Sequence, residues 1–397
     1  MNILYGVVGE GMGHATRSRV VLEHLLAAGH RVLVVVSGRA HGFLTRSFAD
    51  RTGIEIEEIQ GLHLVYEEDG VDRSESLREN LRAAPSRLKA NLNTYASVVG
   101  RFSPDVVVSD FESWAYLFAR THDLPVVSVD NMQIINRCRH TAAISDSRSF
   151  NFLLSKLAVK SKLPDAYHYL VSTFFFPPVH KKRTTLLPPI LRPEILAAQR
   201  EIGSHILVYQ TASTNEALVP TLKALPHEFR VYGMDRDERD GNVHLRPFSQ
   251  DGFIDDLRTA RAVIAGGGFS LMSEAVHLQV PMLTVPLKDQ YEQELNARYL
   301  HSLGYGRFSE DLAPQTISDF LDNIDAHQQA LSGYIPRDNT MLLGCLDEVI
   351  RSAALGEPPP DTLIHDNLGD AVSSRIDAAL SEPDETPVVN DLQQTLA

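Results

Sequence analysis

The stretch that decides the fold reads Ala262-Val263-Ile264-Ala265-Gly266-Gly267-Gly268-Phe269-Ser270, and a helical pattern follows it. Four apolar residues in a row predict a short buried strand, and three glycines allow a sharp turn into the helix. Such a turn leaves the free N–H groups and the positive end of the helix open to an anion. The stretch therefore predicts an α/β fold with an anion site at the start of this helix.

The rest of the chain repeats this alternation of strand and helix. Nearly unbroken apolar runs are typical of parallel strands that are buried on both faces. Repeated β-α-β units predict doubly wound parallel sheets, which bind ligands at the carboxyl ends of their strands. The predicted strands cover 3–8, 31–36, 105–109 and 125–129 in the first half, and 205–210, 229–233, 243–246, 262–265 and 281–285 in the second.

The 397 residues are too many for one core of ordinary size, and three prolines interrupt the pattern at Pro188, Pro189 and Pro193. The residues after 356 contain nine acids and one base, and three consecutive prolines follow the first of them, Glu357. The sequence therefore predicts a Rossmann-like domain over 1–185, a proline-rich linker over 186–198, a second Rossmann-like domain over 199–354 and an acidic, disordered tail over 355–397.

Composition excludes several classes of protein. A net charge of −14 argues against a general nucleic-acid binder, whose Lys and Arg must neutralise phosphates. Two cysteines, Cys138 and Cys345, cannot form a disulfide framework or a cysteine zinc site. No apolar run approaches the roughly 18 residues of a membrane helix, and the N-terminus lacks the pattern of a signal peptide. We therefore expect a cytosolic protein.

The first predicted strand leads into a loop with glycines at Gly9, Gly11 and Gly13, followed by His14. A dinucleotide-binding fingerprint has glycine where His14 stands and an acid after the second strand, where this chain has Arg39. Binding of NADP through Arg39 remains an alternative. His14 either caps the following helix or acts as a general base, because imidazole is suited to proton transfer near neutral pH.

Asp110 directly follows the predicted strand 105–109 and so lies at the same edge of the sheet as His14. It either caps the helix that follows or fixes the tautomer of His14 and stabilises its charged form. These two roles are compatible.

The second glycine loop carries the more specific pattern. The hydrogen-bond donors expected to bind a phosphate are backbone groups of Gly267, Gly268, Phe269 and Ser270. The loop lacks the lysine of a triphosphate P-loop. One turn later, Glu274 offers a carboxylate to two ribose hydroxyls. After the next strand, Asp289 and Gln290 offer acceptor and donor groups suited to sugar hydroxyls.

The region 266–304 resembles the nucleotide-sugar motif of GT-B glycosyltransferases, families 1 and 28. Within this region, Asp289-Gln290 followed by Asn296-Ala297 is similar to the end of the family motif. Two further stretches are similar to motifs of these families: Phe253-Ile254-Asp255-Asp256 and Gly11-Met12-Gly13-His14. The resemblance covers about residues 3 to 304. It implies an acceptor-binding first domain, a donor-binding second domain, and His14 as base with Asp110 as its partner. Backbone groups near Phe253 and Ile254 would frame the nucleotide base.

The chain also departs from these families at Gly266. Many family 1 members have a histidine there that contacts the diphosphate, so this chain must use backbone N–H groups, helped by Ser213 and Thr214. Retaining enzymes often carry a glutamate at that position, so its absence favours inversion at the sugar. The expected reaction needs no metal and no cofactor, and a UDP-linked sugar is the expected co-substrate in glycoconjugate biosynthesis.

The acceptor is not determined by the sequence. Residues 150–162 combine apolar residues with lysines, and 181–183 add three more basic residues. This segment is either an amphipathic helix packed on the first sheet or a surface helix that contacts anionic lipid. Two other functions remain open: a non-hydrolysing UDP-GlcNAc 2-epimerase, and a protein that binds a nucleotide sugar without catalysis.

Overall fold

The computed structural model describes residues 1–9, 11–61, 65–67, 70–210 and 217–363, without the side chains of 65–67 and 70–85. Within these ranges the chain forms two large sheets of seven strands and one two-stranded hairpin. The predicted α/β fold with two Rossmann-like, doubly wound domains is confirmed. No helix in these ranges has the length and apolar character needed to cross a membrane.

The first sheet has the strand order β3-β2-β1-β6-β7-β8-β9, and all its strands are parallel. In chain order the elements of this part are β1 (Asn2–Val7), α1 (Met12–Ala27), β2 (Arg31–Val36), α2 (Gly38–Ser47), β3 (Ile54–Glu58), β4 (Val65–Glu67), β5 (Gly70–Asp72), α3 (Arg73–Arg101), β6 (Val106–Asp110), α4 (Ser113–Thr121), β7 (Val126–Asp130), α5 (Ile134–Arg137), α6 (Phe150–Lys162), β8 (His168–Ser172) and β9 (Thr184–Leu187).

The second sheet has the order β12-β13-β11-β10-β14-β15-β16, and only β12 is antiparallel to its neighbour. Its part of the chain contains α7 (Pro193–Ala197), β10 (Ile206–Tyr209), α8 (Leu218–Lys223), β11 (Phe229–Tyr232), β12 (Glu238–Asp240), β13 (Val243–Leu245), α9 (Gln250–Thr259), β14 (Ala262–Ala265), α10 (Phe269–His277), β15 (Met282–Thr284), α11 (Tyr291–Ser302), β16 (Gly306–Phe308), α12 (Pro314–Asp322), α13 (Ile324–Leu331) and α14 (Thr340–Ala354).

Both large sheets are buried on two faces. Successive side chains of a strand point to opposite faces, and in β1 the residues Leu4 and Tyr5 belong to two different apolar clusters. In β10, Leu207 and Val208 are divided in the same way. This double burial explains the unbroken apolar runs in the sequence. The cluster that contains Leu4 and Leu207 extends across both domains and joins them.

The strand order of each sheet reverses at one place. In the first sheet β1 lies between β2 and β6, and Val7 is paired with Asp110. In the second sheet β10 lies between β11 and β14, with Tyr209 paired with Ala265. Crevices form at such switch points, outside the carboxyl ends of the strands. The two glycine loops follow β1 and β14, so both lie at a switch point.

The last helix corrects the predicted domain boundary. Helix α14 was assigned with residues 199–354 to the second domain, but it packs against the first sheet. Its buried side chains, among them Leu342 and Leu346, join the cluster of β1 and β2. The chain therefore crosses between domains twice, and Asn339 ties the crossings together with hydrogen bonds to the Leu191 N–H (2.8 Å) and to the Leu191 carbonyl (2.7 Å).

The beginning of the predicted tail is also part of the first domain. The carbonyl of Asp361 accepts a hydrogen bond from the Thr184 N–H (3.1 Å), which extends the edge of β9. Leu363 is buried there, and its N–H donates to Thr185 Oγ1 (3.0 Å). The boundary at residue 355 was therefore too early, because these residues find partners on an edge strand. Residues 364–397, which carry the rest of the predicted tail, lie outside the described residues.

Candidate functional site

His14 and Asp110 lie together at the switch point of the first sheet. His14 is in the first turn of α1 and Asp110 is the last residue of β6. The His14 Nδ1 is 2.8 Å from Asp110 Oδ1. The helix cap considered for Asp110 belongs instead to Glu112, whose carboxylate accepts hydrogen bonds from the first turn of α4. Asp110 therefore interacts with side chains of α1 and does not cap α4.

Asp110 is held by two further residues of α1 that the sequence analysis did not identify. Arg17 donates through Nε to Oδ2 (2.9 Å) and through Nη2 to Oδ1, and Ser18 Oγ donates to Oδ2 (2.9 Å). Burial alone would raise the pKa of Asp110, but the charges of Arg17 and His14 hold it well below its usual range. The Asp110 carboxylate is consequently a permanent negative charge in a buried site.

The neighbours of His14 bear on its predicted role as a base. Asp110 Oδ1 accepts from Arg17 Nη2 and lies 2.8 Å from His14 Nδ1, while Arg17 Nη2 also lies 2.7 Å from that nitrogen. Because an ionised carboxylate can only accept, we assign the ring proton to Nδ1, the tautomer that leaves Nε2 unprotonated. Burial and the positive charge of Arg17 lower the pKa of His14, and they outweigh the opposite effect of Asp110. The imidazole is therefore neutral at neutral pH, with a free lone pair on Nε2.

The effect of Arg17 on His14 can be measured directly. Arg17→Met should raise the pKa of His14, because it removes a like charge and leaves Asp110 to stabilise the imidazolium alone. An NMR titration of the imidazole C–H signals measures this pKa in the folded protein. Arg19→Met is the matched control, since Arg19 is on the same helix and pairs with Glu194. A lower or unchanged pKa in Arg17→Met would contradict this electrostatic picture.

A chain of hydrogen bonds links this pair to the second domain. Arg17 Nη1 donates to Asn131 Oδ1 (2.7 Å), and Asn131 Nδ2 donates to Glu292 Oε1 (2.8 Å). The same oxygen accepts from Asn296 Nδ2 (2.8 Å), which also lies 3.1 Å from the carbonyl of Gly267. Asn131 directly follows β7, which lies next to β6 in the sheet. Because ligands of such sheets bind at the carboxyl ends of the strands, this position could have identified Asn131 from the sequence.

The second glycine loop joins β14 to α10, as predicted. At Gly267 a Cβ would come within 2.1 Å of the Gln293 carbonyl, so α11 can pack here only against glycine. At Gly268 a Cβ would meet nothing within 4 Å, and no side chain caps the helix. The first N–H groups of any helix lack partners within the helix. Gly268 therefore borders open space in front of the positive end of α10.

The two glycine loops face each other. A Cβ at Gly13 would lie 2.5 Å from Ser270 Oγ, so the start of α1 touches the start of α10. In the first loop, a Cβ at Gly9 would overlap the Ser37 carbonyl at 2.2 Å, and Gly11 has a φ of +89° that favours glycine. The loop glycines thus allow close approach of the backbone, and they bring the first turn of α1, with His14, to the start of α10, where the sequence predicts an anion site.

Glu274 has a partner that the sequence analysis did not foresee. Arg192 of the linker donates to both of its carboxylate oxygens, each at 2.7 Å, and both side chains are buried. A carboxylate oxygen can accept more than one hydrogen bond, so a bound ribose remains a prediction for Glu274. What the structure adds is a buried ion pair between the linker and the helix of the glycine loop.

Phe269 and Asp289 occupy distinctive positions near this helix. Phe269 is buried and stacks on Phe174 of the first domain, with ring centroids 6.0 Å apart, so only its backbone remains available. Asp289 is exposed and has a φ of +65°, which is uncommon for a residue other than glycine and often marks a functional loop. Gln290 precedes α11 as its N-cap residue.

The predicted role of backbone groups near Phe253 and Ile254 in framing a nucleotide base stays a prediction. Both side chains are buried in α9, and the Phe253 N–H donates to the Ser249 carbonyl (2.8 Å). The exposed aromatic side chain next to them is Phe248, 61% exposed and 6.1 Å from the Phe253 ring. Ser213 and Thr214 lie outside the described residues.

Comparisons with known proteins agree with this architecture. The family model described as glycosyl transferase family 1 matches residues 1–325. An uncharacterized glycosyltransferase of Methanosarcina mazei is 28% identical over 363 residues, with 82% of this chain and 90% of the relative covered.

Two solved structures show the same fold at low sequence identity. The glycotransferase of kitacinnamycin is 18% identical with a TM-score of 0.60, and the match covers 90% of this chain and 99% of that one. Medicago truncatula UGT71G1 complexed with UDP-glucose is 13% identical with a TM-score of 0.60, and the match covers 88% of this chain and 98% of that one.

Proposed function

Because this chain belongs to glycosyl transferase family 1 and is a glycosyltransferase with the GT-B fold, we propose that it is an inverting enzyme that needs no metal ion. It moves a hexose from a nucleoside diphosphate sugar, UDP-linked, to a hydroxyl of a glycan, lipid or small-molecule acceptor. The observation that carries the proposal is the contact between the two glycine loops. This contact brings the first turn of α1, with His14, to the start of α10, where we assign the diphosphate.

The reaction is a single displacement at the anomeric carbon. His14 Nε2 takes the proton of the acceptor hydroxyl as its oxygen forms a bond to that carbon. The bond from the same carbon to the diphosphate breaks, and its electron pair leaves with the phosphate oxygen. Asp110 stabilises the imidazolium that forms, while Arg17 keeps the imidazole neutral beforehand. One displacement inverts the configuration of the sugar.

The leaving diphosphate is assigned to the start of α10. Preorganised N–H donors aimed at developing charge are usually the largest single contribution to such catalysis. The space at Gly268, the absence of a capping side chain and the dipole of α10 all favour an anion there. A neighbouring fold in complex with UDP-glucose supports a UDP-linked donor.

Gly268→Ala tests the diphosphate site. Its backbone angles (φ −65°, ψ 122°) are open to alanine, so the free energy of unfolding should stay unchanged. The added methyl group would occupy the space assigned to the diphosphate. Loss of one hydrogen bond to a charged group, about 1.5–3 kcal/mol, would raise the Kd for UDP about 10–100-fold. Isothermal titration calorimetry measures this constant.

The matched control for Gly268→Ala is Gly344→Ala. A Cβ at Gly344 also meets nothing within 4 Å, but this residue lies in the middle of α14, on the first sheet. The control should bind UDP as the wild type does. If Gly268→Ala binds UDP with unchanged affinity, the diphosphate does not lie in front of α10.

The two other functions give different results in one assay with UDP-GlcNAc. A transferase releases UDP in proportion to added acceptor and transfers the sugar. A 2-epimerase converts the nucleotide sugar without acceptor, and a binding protein leaves it unchanged. Conversion without acceptor, or binding with no turnover for any acceptor offered, would contradict the proposed transfer.

A further inference from the structure

Helix α6 exposes an apolar stripe to solvent. Phe150, Leu153, Leu154 and Leu157 follow the i, i+3, i+4, i+7 spacing of one helix face, and they are 75%, 52%, 41% and 63% exposed. The opposite face carries Phe152 and Val159 and is buried. The helix thus packs on the protein by one face, as one of the two sequence hypotheses required, and presents a second apolar face that nothing in the described ranges covers.

The chain around this stripe is strongly basic. Residues 137–183 contain nine Lys and Arg against two Asp, a net charge of +7 inside a chain whose net charge is −14. On α6 itself, Lys160 is exposed and Lys156 is half-buried beside the Phe152 ring. Such a segregation of charge favours an anionic partner.

A basic cavity of about 460 Å³ adjoins the end of α6. Its lining includes Lys160, Arg137 and Lys181. Arg137 is buried and lies 3.5 Å above the Tyr169 ring centroid, which holds the guanidinium in place. Burial, followed by the charges of Arg137 and other lysines, lowers the pKa of Lys181. These cations therefore lie close together in a confined space. A bound anionic group would reduce the repulsion between them.

Two carboxylates at the rim neutralise part of this charge. Lys182 pairs with Asp361 at 2.9 Å and Arg183 pairs with Asp165 at 3.6 Å. Both carboxylates are well exposed, so these ion pairs are weak and easily exchanged. The buried side of the cavity, with Arg137, keeps its positive charge.

The same helix ends at the candidate site. Lys162 in its last turn donates to the Phe111 carbonyl (3.2 Å), directly after Asp110, and its charge contributes to the lowered pKa of His14. A helix of 13 residues is about 20 Å long. The stripe, the basic cavity and the His14–Asp110 pair therefore lie along one element.

We propose that the stripe of α6 and the adjoining basic cavity form a docking surface for an anionic lipid bilayer. The apolar side chains enter the boundary between headgroups and acyl chains, and the cavity takes a headgroup phosphate. Docking would hold the candidate site near the membrane surface. The surface does not depend on the transfer reaction, so its test needs neither donor nor acceptor.

The test is co-sedimentation of the full chain with vesicles of equal parts phosphatidylglycerol and phosphatidylcholine, compared with pure phosphatidylcholine. Wild type should bind the anionic vesicles and release as salt is raised. Two double variants test the two parts of the surface: Leu153→Ser with Leu157→Ser, and Lys156→Glu with Lys160→Glu. Each should lower the partition coefficient of the protein onto anionic vesicles by about tenfold or more. Circular dichroism checks that each variant is folded.

Matched controls use exposed residues elsewhere. The double variant Ile202→Ser with Leu355→Ser replaces two apolar side chains that are 65% and 69% exposed. Lys223→Glu reverses an exposed charge in the second domain. These variants should bind as the wild type does.

Any one of five results would overturn the proposal. The wild type fails to bind anionic vesicles, or it binds pure phosphatidylcholine equally well. The stripe and lysine variants bind undiminished. Inorganic phosphate raises the melting temperature of the wild type but not of the variant that carries Lys160→Glu, and neither protein binds vesicles. The cavity would then be a site for a soluble anion. The chain instead dimerises through Leu153 and Leu157 without vesicle binding.

Discussion

His14→Ala is expected to lower kcat for sugar transfer by about 10²–10⁴-fold. The acceptor hydroxyl would lose the base that takes its proton, and nothing else in the proposed reaction replaces Nε2. The Kd for UDP should stay close to that of the wild type, because the diphosphate is assigned to the start of α10 in the other domain. Acceptor-dependent UDP release measures kcat, and calorimetry measures the Kd.

A second histidine on the same helix provides the control. His24 Nε2 lies 2.9 Å from Asp347 Oδ1, so α1 carries another histidine–aspartate pair. That pair joins α1 to α14, and its side chains are 27% and 43% exposed. His24→Ala should leave kcat unchanged. If His14→Ala also transfers sugar at the wild-type rate, His14 is not the base.

Asp110→Asn should have the second large effect, on both activity and stability. Without the carboxylate the imidazolium loses its stabilising charge and Nδ1–H its strongest acceptor, so we expect kcat to fall by about 10²–10⁴-fold. Arg17 would be left in a buried site without its counter-ion. Breaking a buried pair from one side lowers the free energy of unfolding by about 3–5 kcal/mol. Urea denaturation measures this loss.

The exposed pair again supplies the comparison. Asp347→Asn removes the carboxylate that faces His24, and solvent can compensate there, so kcat and stability should change little. An Asp110→Asn protein that is as stable and as active as the wild type would show that this carboxylate neither balances Arg17 nor assists His14.

The sequence predicted well those features that depend on neighbouring residues. The strand, three glycines and helix at 262–277 are a local pattern, and so is the loop that leads into α1. Strands β8 and β9, at one end of the first sheet, were missed because their apolar runs are short and a proline-containing segment follows β8. The position of α14 was wrong because a helix pattern shows an apolar face but not the sheet that covers it.

The candidate site was predicted in part for the same reason. Both His14 and Asp110 follow predicted strands, so the sequence predicted that they lie at one edge of the sheet. In the structure His14 Nδ1 is 2.8 Å from Asp110 Oδ1. Arg17 was missed, although the i, i+3 spacing of a helix places it on the face of α1 that carries His14. The link from Asn131 to Glu292 joins residues 161 positions apart across two domains. No local pattern contains such a contact.

The most direct measurement is a crystal structure of the full chain with uridine diphosphate. The account predicts diphosphate oxygens within about 2.7–3.2 Å of backbone N–H groups at residues 268–270. It also predicts that the imidazole of His14 faces the same space from the other domain. A diphosphate bound elsewhere, or N–H groups of this turn already paired with carbonyls of the protein, would contradict the account.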